Sequence, residues 1–156
     1  MNRRFNFGKK KVEETPPTAP LSTTAPEVER AMLGALIANP DHIPNASEWL
    51  KPEAFYGAVH RQIYEEIISF GMKSDVFDLV TFTQHLADKQ LLDSVGGPSY
   101  LTELLIEIQT PEHYTHYRGI LETKLRVRNA WEQACVPESL RRRSIDYLGP
   151  ELRTRP

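Results

Sequence analysis

The stretch FYGAVHRQIYEEIISF, residues 55–70, decides the fold predicted for this chain. Its apolar residues recur at steps of three and four, so they fall on one side of a helix about 24 Å long. The stripe consists of Phe55, Val59, Ile63, Ile67 and Phe70. The segment 51–53, Lys-Pro-Glu, predicts the helix start, and Gly71 predicts its end. Because several elements must cover so wide a stripe, we place this helix at the centre of a compact, all-α, multi-helix domain.

The charge of the chain is unevenly distributed. Residues 26–131 carry nine Lys or Arg against fifteen Asp or Glu, a net charge of −6, whereas residues 1–25 carry +3 and residues 132–156 carry +1. An acidic body repels phosphate, so bulk charge makes it a poor nucleic-acid binder. We expect any contact with DNA to come from the basic ends. At 156 residues with 40% hydrophobic content, the chain has enough material for one core.

The cellular compartment is predicted from cysteine usage and hydropathy. Cys135 is the only cysteine, which fits a reducing compartment and excludes an intramolecular disulfide. The N-terminus never reaches the apolar region of a signal peptide, and the longest apolar stretch is too short to span a bilayer. We therefore expect a soluble, cytoplasmic protein with no membrane partner.

The flanking helices have start signals and one unusual glycine. Residues 24–27, Thr-Ala-Pro-Glu, have the spacing of a capping box ahead of PEVERAMLGALIANP. Gly34 inside that helix costs about 1 kcal/mol relative to alanine, which predicts a close helix crossing. Asp78 is expected to cap LVTFTQHLADK, and Gly96-Gly97-Pro98 predicts a tight turn into another buried helix.

The last predicted helix opens at Thr110-Pro111-Glu112 and runs to about Trp131. Its apolar residues cover a wide arc, about 160° when projected at 100° per residue. Such a helix often packs on its own domain with one flank and on a partner with the other. Aromatic anchors usually dominate binding energy. The candidate interface residues are Tyr114, Tyr117, Leu121, Leu125 and Trp131.

The two ends have no helical or strand period. Residues 1–24 form a basic, proline-rich segment that we interpret as a disordered arm. Residues 132–156 are predicted to form an irregular, Arg-rich tail with Arg141 to Arg143 at its centre. A cloning scar, a frameshifted end or a natural short tail would each produce such a sequence. The domain itself is predicted to span residues 25–131.

No catalytic, cofactor or metal site is predicted. The sequence has no G-x-x-x-x-G-K-[ST], and hence no phosphate-cradling loop of that type. His113 and His116 lie beside Glu112, but zinc would need a further ligand at a compatible place. His60, at the edge of the central stripe, is interpreted as a packed, hydrogen-bonded histidine, because no nucleophile with an orienting acid is visible around it.

Five motifs in this order resemble the N-terminal domain of the replicative DNA helicase (DnaB) family. The first is a helix that contains Leu-Gly and begins after Pro26 and Glu27, and the second is an aromatic pair followed by His60 and then by Ile-Tyr. The third is an Asp ahead of a helix that contains Val-Thr. The fourth is a Gly-Gly pair followed by Tyr-Leu, and the fifth is a Thr-Pro pair followed by His-Tyr. The matching residues are Glu29, Leu33, Gly34, Phe55, Tyr56, Ile63, Tyr64, Asp78, Val80, Thr81, Leu86, Gly96, Gly97, Tyr100, Leu101, Thr110, Pro111, His116 and Tyr117.

The resemblance implies a function in protein interaction. In that family the domain contacts primase, continues through a helical hairpin into a RecA-like ATPase motor, and pairs into a collar on the hexamer. Only the first hairpin arm matches here, over residues 111–131, and no motor sequence is present, so the resemblance implies no enzymatic activity for these residues. The implied partners are primase, a full-length replicative helicase or a second copy of the chain. The alternative is a small nucleic-acid-binding or regulatory protein that acts through its basic tails.

Overall fold

The computed structural model describes residues 23–108 and 113–135, and these form six α-helices without a strand. The predicted all-α fold class is confirmed. The helices are α1 (Pro26–Ala38), α2 (Ile43–Trp49), α3 (Ala58–Gly71), α4 (Leu79–Asp88), α5 (Gly97–Glu107) and α6 (Tyr114–Cys135). Two 3₁₀ turns, Pro40–His42 and Pro52–Ala54, flank α2.

Helix α1 forms the centre of the packing, against α3, α5 and α6. The prediction that the helix of residues 55–70 is central is therefore wrong, because α1 is the helix that both α5 and α6 cover. Six consecutive residues, Met32–Ile37, are buried, so this helix is covered on nearly every side of its second half. Gly34 makes the crossing with α5 possible, because a Cβ there would collide with the carbonyl oxygen of Leu104. The close crossing expected at Gly34 is confirmed.

Helix α3 begins later than its sequence pattern predicts. Pro52–Ala54 forms a separate 3₁₀ turn, and Gly57 is the N-cap in extended conformation, so Phe55 is buried but lies outside the helix. The assignment of Val59 to the buried stripe is wrong, since its side chain is 39% exposed. Tyr64 takes the buried face instead, and its hydroxyl lies 2.9 Å and 2.5 Å from the carbonyl oxygens of Ala46 and Leu50.

Of two further terminal signals, one is wrong and one is confirmed. The capping box predicted at Thr24 and Glu27 is wrong, because Ala25 occupies the N-cap position of α1 and supplies no side-chain cap. The end of α3 predicted at Gly71 is confirmed, since Gly71 is the last residue of the helix and Met72, its C-cap, is right-handed. A Cβ on Gly71 would lie 2.5 Å from Cδ1 of Ile43, so this glycine serves close packing of α3 on α2.

The other two start signals are confirmed. The Asp78 carboxylate accepts a 2.7 Å hydrogen bond from the Thr81 amide, and the Thr81 hydroxyl accepts a 3.0 Å bond from the Asp78 amide. Before α5, Gly96 and Gly97 both have positive φ, +104° and +76°, which side chains rarely adopt. Pro98 stands in the first turn of the helix, where its missing N–H is harmless.

Helix α6 extends to Cys135, beyond the predicted end at Trp131. Residues 132–135 of the predicted irregular tail are therefore helical. The predicted arm lies outside the described residues except for Thr23 and Thr24, and so does the predicted helix start at 110–112. The rest of the predicted tail, residues 136–156 with the arginine run, also lies outside the described residues. The described part of the chain contains no helix long and apolar enough to cross a membrane.

Candidate interaction surface

Two of the five predicted interface residues belong to the domain's own core. Leu121 is fully buried and Tyr114 is 3% exposed. The Tyr114 ring stacks on His42 with centroids 4.7 Å apart, and its hydroxyl lies 3.0 Å from the side-chain oxygen of Asn45. The expectation that Tyr114 and Leu121 offer a surface to a partner is therefore wrong in this structure, because α6 uses them to pack on the domain.

The other three predicted interface residues lie where α6 leaves the core. Tyr117 and Leu125 are half-buried at the core edge. Trp131 is also half-buried and lies in the C-terminal third of the helix. Among the helix residues after Leu121, only Arg128 is buried. Val127 in the same region is 43% exposed. This end of α6 thus has apolar side chains that its own core does not fully cover.

A notch of about 290 Å³ lies between α6 and the segment that follows α2, and we call it the Trp49 notch. The Trp49 ring is 54% exposed, and the Arg118 guanidinium lies 5.3 Å from its centroid, a cation–π arrangement. Arg118 also donates a 2.9 Å bond to Glu122. Lys51 and Arg126 make the rim basic in an otherwise acidic domain. The lining residues are Trp49, Leu50, Lys51, Ala54, Glu122, Leu125 and Arg126.

The outer side of α6 carries a shallow groove of about 300 Å³ with mixed polar and apolar lining. His116, one of the two histidines considered as metal ligands, lines it together with Ile120. His113 instead packs edge-on against Tyr117, with centroids 6.3 Å apart. Within residues 23–108 and 113–135, no cluster of three His, Cys, Asp or Glu side chains has an arrangement that could hold a metal ion.

The domain interior contains a polar network centred on Glu29, which is 2% exposed. Its carboxylate accepts hydrogen bonds of 2.6 Å and 3.2 Å from the amides of Tyr56 and Gly57, just ahead of α3. The His60 ring lies between this carboxylate and Tyr100, with Nδ1 2.6 Å from Glu29 Oε2 and Nε2 2.6 Å from the Tyr100 hydroxyl. The interpretation of His60 as a packed, hydrogen-bonded histidine is confirmed.

The electrostatics of this network favour a charged carboxylate. Burial raises the pKa of Glu29, but the hydrogen bonds from His60, Tyr56 and Gly57 outweigh it and hold the pKa below its ordinary value of 4.5. Burial also raises the pKa of Tyr100, so its hydroxyl keeps its proton. The network has no nucleophile within it and no cavity beside it among those described. Its chemistry is structural, joining α1, α3 and α5.

Arg128 is the second buried charge, at 7% exposure. Its guanidinium donates to three backbone carbonyls, those of Thr23 at 3.0 Å, Glu53 at 2.5 Å and Ala54 at 3.1 Å. Burial lowers the pKa of Arg128, with the Glu29 charge acting in the opposite direction. Sequence reasoning assigned no role to Arg128. Its position among apolar residues of a wide helical arc was the one available signal.

The family model that matches this chain is the DnaB-like helicase N terminal domain, over residues 22–123. This match spans well over half of the chain and ends within α6. The chain belongs to the DnaB-like helicase N-terminal domain family. The Glu29 network and the buried core of α1, α3 and α5 described above are thus features of a member of this family.

Individual relatives agree with this placement. The chain is 40% identical over 98 residues to the replicative DNA helicase DnaC of Bacillus subtilis and 39% identical over 98 residues to DnaB of Geobacillus stearothermophilus. Each alignment covers 63% of this chain and 22% of the relative. The chain therefore spans about a fifth of the length of these helicases, and the matched part is their non-catalytic N-terminal domain.

A solved structure supports the fold. The N-terminal domain of DnaB helicase from Mycobacterium tuberculosis superposes with a TM-score of 0.67 at 27% sequence identity, covering 71% of this chain and 80% of that one. The DnaB-like N-terminal fold is therefore present in this chain. The recognition of the family from its motifs is confirmed.

Proposed function

We propose that this domain acts in cytoplasmic DNA replication as a non-catalytic docking module, which binds primase and contributes to the collar of a replicative helicase ring. Two findings support this proposal. The chain belongs to the DnaB-like helicase N-terminal domain family, and the relatives described above are replicative DNA helicases. The ATP-driven motor is then supplied outside the residues present here. The domain itself contributes binding surface only.

The observation that carries the proposal is the C-terminal third of α6. Past Leu125 this helix buries only Arg128, and it presents Val127 at 43% exposure beside the half-buried Trp131. A helix of 22 residues is about 33 Å long, so its end reaches well beyond the turn that Leu121 packs. A partner helix laid along this end would bury the aromatic and aliphatic side chains that the domain leaves partly open.

The test is light scattering on the full 156-residue chain, alone and mixed with the helicase-binding domain of a cognate primase. We expect a dimer or a stable mixed complex. Trp131→Ala should weaken that association at least tenfold, about 1.4 kcal/mol, as expected for an aromatic anchor. Met72→Ala is the matched control, because Met72 is 54% exposed but follows α3 and is no part of α6. A chain that stays monomeric and ignores primase contradicts the proposal.

A further inference from the structure

A second notch, of about 230 Å³, lies between α2, the Pro52–Ala54 turn and α3. Its floor is apolar, because the Tyr64 hydroxyl turns inward to the carbonyls of Ala46 and Leu50. We call it the Tyr64 notch. Its lining residues are Ser47, Leu50, Pro52, Tyr64, Glu65, Ile68 and Ser69.

The rim of the Tyr64 notch is acidic. Glu65 lines it. Burial raises the pKa of Glu65, the charge of Arg61 opposes this, and the nearby charges of Glu53 and Glu66 add to the rise. Glu66 is already paired with His85 and Lys89. No ion pair is found for Glu53 or Glu65 within the described residues. The lining includes no Lys or Arg.

The structure fixes the point at which the N-terminal segment joins the domain, near the turn that contributes Pro52 to this notch. Arg128 binds the Thr23 carbonyl and the carbonyls of Glu53 and Ala54 through one guanidinium. Thr23 is therefore fixed next to the Pro52–Ala54 turn, and Pro52 of that turn lines the notch. Residues 1–22 lie upstream of this anchor, outside the described part of the chain.

The upstream sequence complements the Tyr64 notch in charge and hydrophobicity. Residues 3–11 read RRFNFGKKK, which places Phe5 and Phe7 between two arginines and three lysines. Residues two apart lie on the same side of an extended segment, so both rings could face one surface. Fifteen residues lie between Phe7 and Thr23, and a fully extended chain spans at most about 3.3–3.6 Å per residue, so the tether permits the approach.

We propose that residues 3–11 of this chain bind its own Tyr64 notch. A phenylalanine ring rests on the half-buried Pro52 and Ile68, and the basic side chains approach Glu53 and Glu65. Because the segment is tethered, binding is intramolecular and its effective concentration is about millimolar, so a weak contact suffices. The Trp49 notch fits this segment less well, because its lining has two basic residues, Lys51 and Arg126, against one acidic residue, Glu122.

Disulfide trapping in the full chain tests this. In a Cys135→Ser background, Asn6→Cys is combined with Ser69→Cys at the notch. The matched control combines Asn6→Cys with Ser99→Cys, which is exposed at the start of α5, a helix that packs on α1 and α4. We expect the intrachain disulfide at Ser69 to form at least about tenfold faster than the control disulfide, because docking raises the local thiol concentration.

The charge and aromatic contacts are tested in the same assay. Glu53→Lys with Glu65→Lys, both at exposed positions, should bring the Ser69 rate down to the control rate, as should Phe5→Ala with Phe7→Ala. Raising the salt concentration to about 0.5 M should also lower the rate of disulfide formation at Ser69, because salt screens the attraction between the basic segment and the two glutamates. Circular dichroism verifies that each variant keeps its helices.

Two results would overturn the proposal. The first is equal cross-linking rates for the notch and control pairs; if a single-stranded oligonucleotide then binds in a salt-sensitive way that requires residues 3–11, the segment is assigned to nucleic acid. The second is disulfides that form only between chains, which would mean that the segment binds another molecule.

Discussion

The Nδ1 atom of His60 lies 2.6 Å from Oε2 of Glu29, and the other carboxylate oxygen accepts the Tyr56 amide at 2.6 Å. A charged carboxylate can only accept hydrogen bonds, so Nδ1 carries the proton in the neutral ring. Nε2 is then the acceptor for the hydroxyl of Tyr100, 2.6 Å away. One carboxylate on α1 therefore sets the tautomer of a histidine on α3 and, through that ring, is linked to Tyr100 on α5.

Glu29→Gln should destabilise the domain. Hydrogen bonds to charged groups contribute about 1.5–3 kcal/mol, and the amide cannot accept from His60 and both backbone amides as the carboxylate does. We expect the free energy of unfolding, measured by urea titration, to fall by about that amount. Glu27→Gln, on the exposed side of the same helix, is the control and should change it by less than about 0.5 kcal/mol. Equal effects of the two substitutions would show that the network adds no stability.

The stability difference between the parent and Glu29→Gln should depend on pH. The pKa of folded Glu29 lies below its ordinary value of 4.5, so its carboxylate stabilises the fold above that value and loses this effect as pH falls through the folded pKa. Urea titrations at about pH 6 and pH 3 should therefore give a large gap at the higher pH and a smaller one at the lower. The lowered pKa of Glu66 affects both proteins and cancels in the comparison. A gap that is the same at both values would contradict this.

Gly34→Ala and Gly119→Ala should have opposite effects. At Gly34 the added Cβ meets the Leu104 carbonyl, so α1 and α5 must move apart, at a cost of about 1–3 kcal/mol that exceeds the gain in helix propensity. At Gly119 nothing lies within 4 Å of the added Cβ, and the gain of about 0.5–1 kcal/mol remains. Thermal unfolding of both variants measures the difference. Stabilisation by both would mean that the α1–α5 crossing is wider than described.

Arg128→Met should weaken the attachment of Thr23 and the Pro52–Ala54 turn to α6. Methionine fills part of the space but leaves three carbonyls without their donor, and each unsatisfied buried group costs about 1–3 kcal/mol, less where water reaches it. We expect a loss of about 3 kcal/mol in urea titrations. Arg126→Met, two residues earlier and exposed, should be close to neutral. Hydrogen exchange at Ala54 and Phe55 should also speed up in Arg128→Met alone.

Local chemistry made several features predictable from the sequence. A period of 3.6 residues fixes which side of a helix is apolar, and this is enough to predict six helices and the core positions Ile63 and Ile67. The Asp78 cap involves atoms only three residues apart, so the sequence contains both partners. Gly34 was recognisable because glycine inside a buried helix is costly without a close neighbour.

Tertiary structure alone decided which charges are buried and which apolar residues remain open. Glu29 and Arg128 look like ordinary polar positions, since their partners, backbone groups and the His60 ring, lie 27 to 105 residues away and a local pattern does not reveal them. The wide apolar arc of α6 likewise predicted that the helix packs on its own domain with one flank and on a partner with the other. It did not predict which residues belong to each flank. The packing of α6 on the rest of the domain buried Tyr114 and Leu121 and left Trp131 at the open end, because a helix buries whichever residues its neighbours can reach.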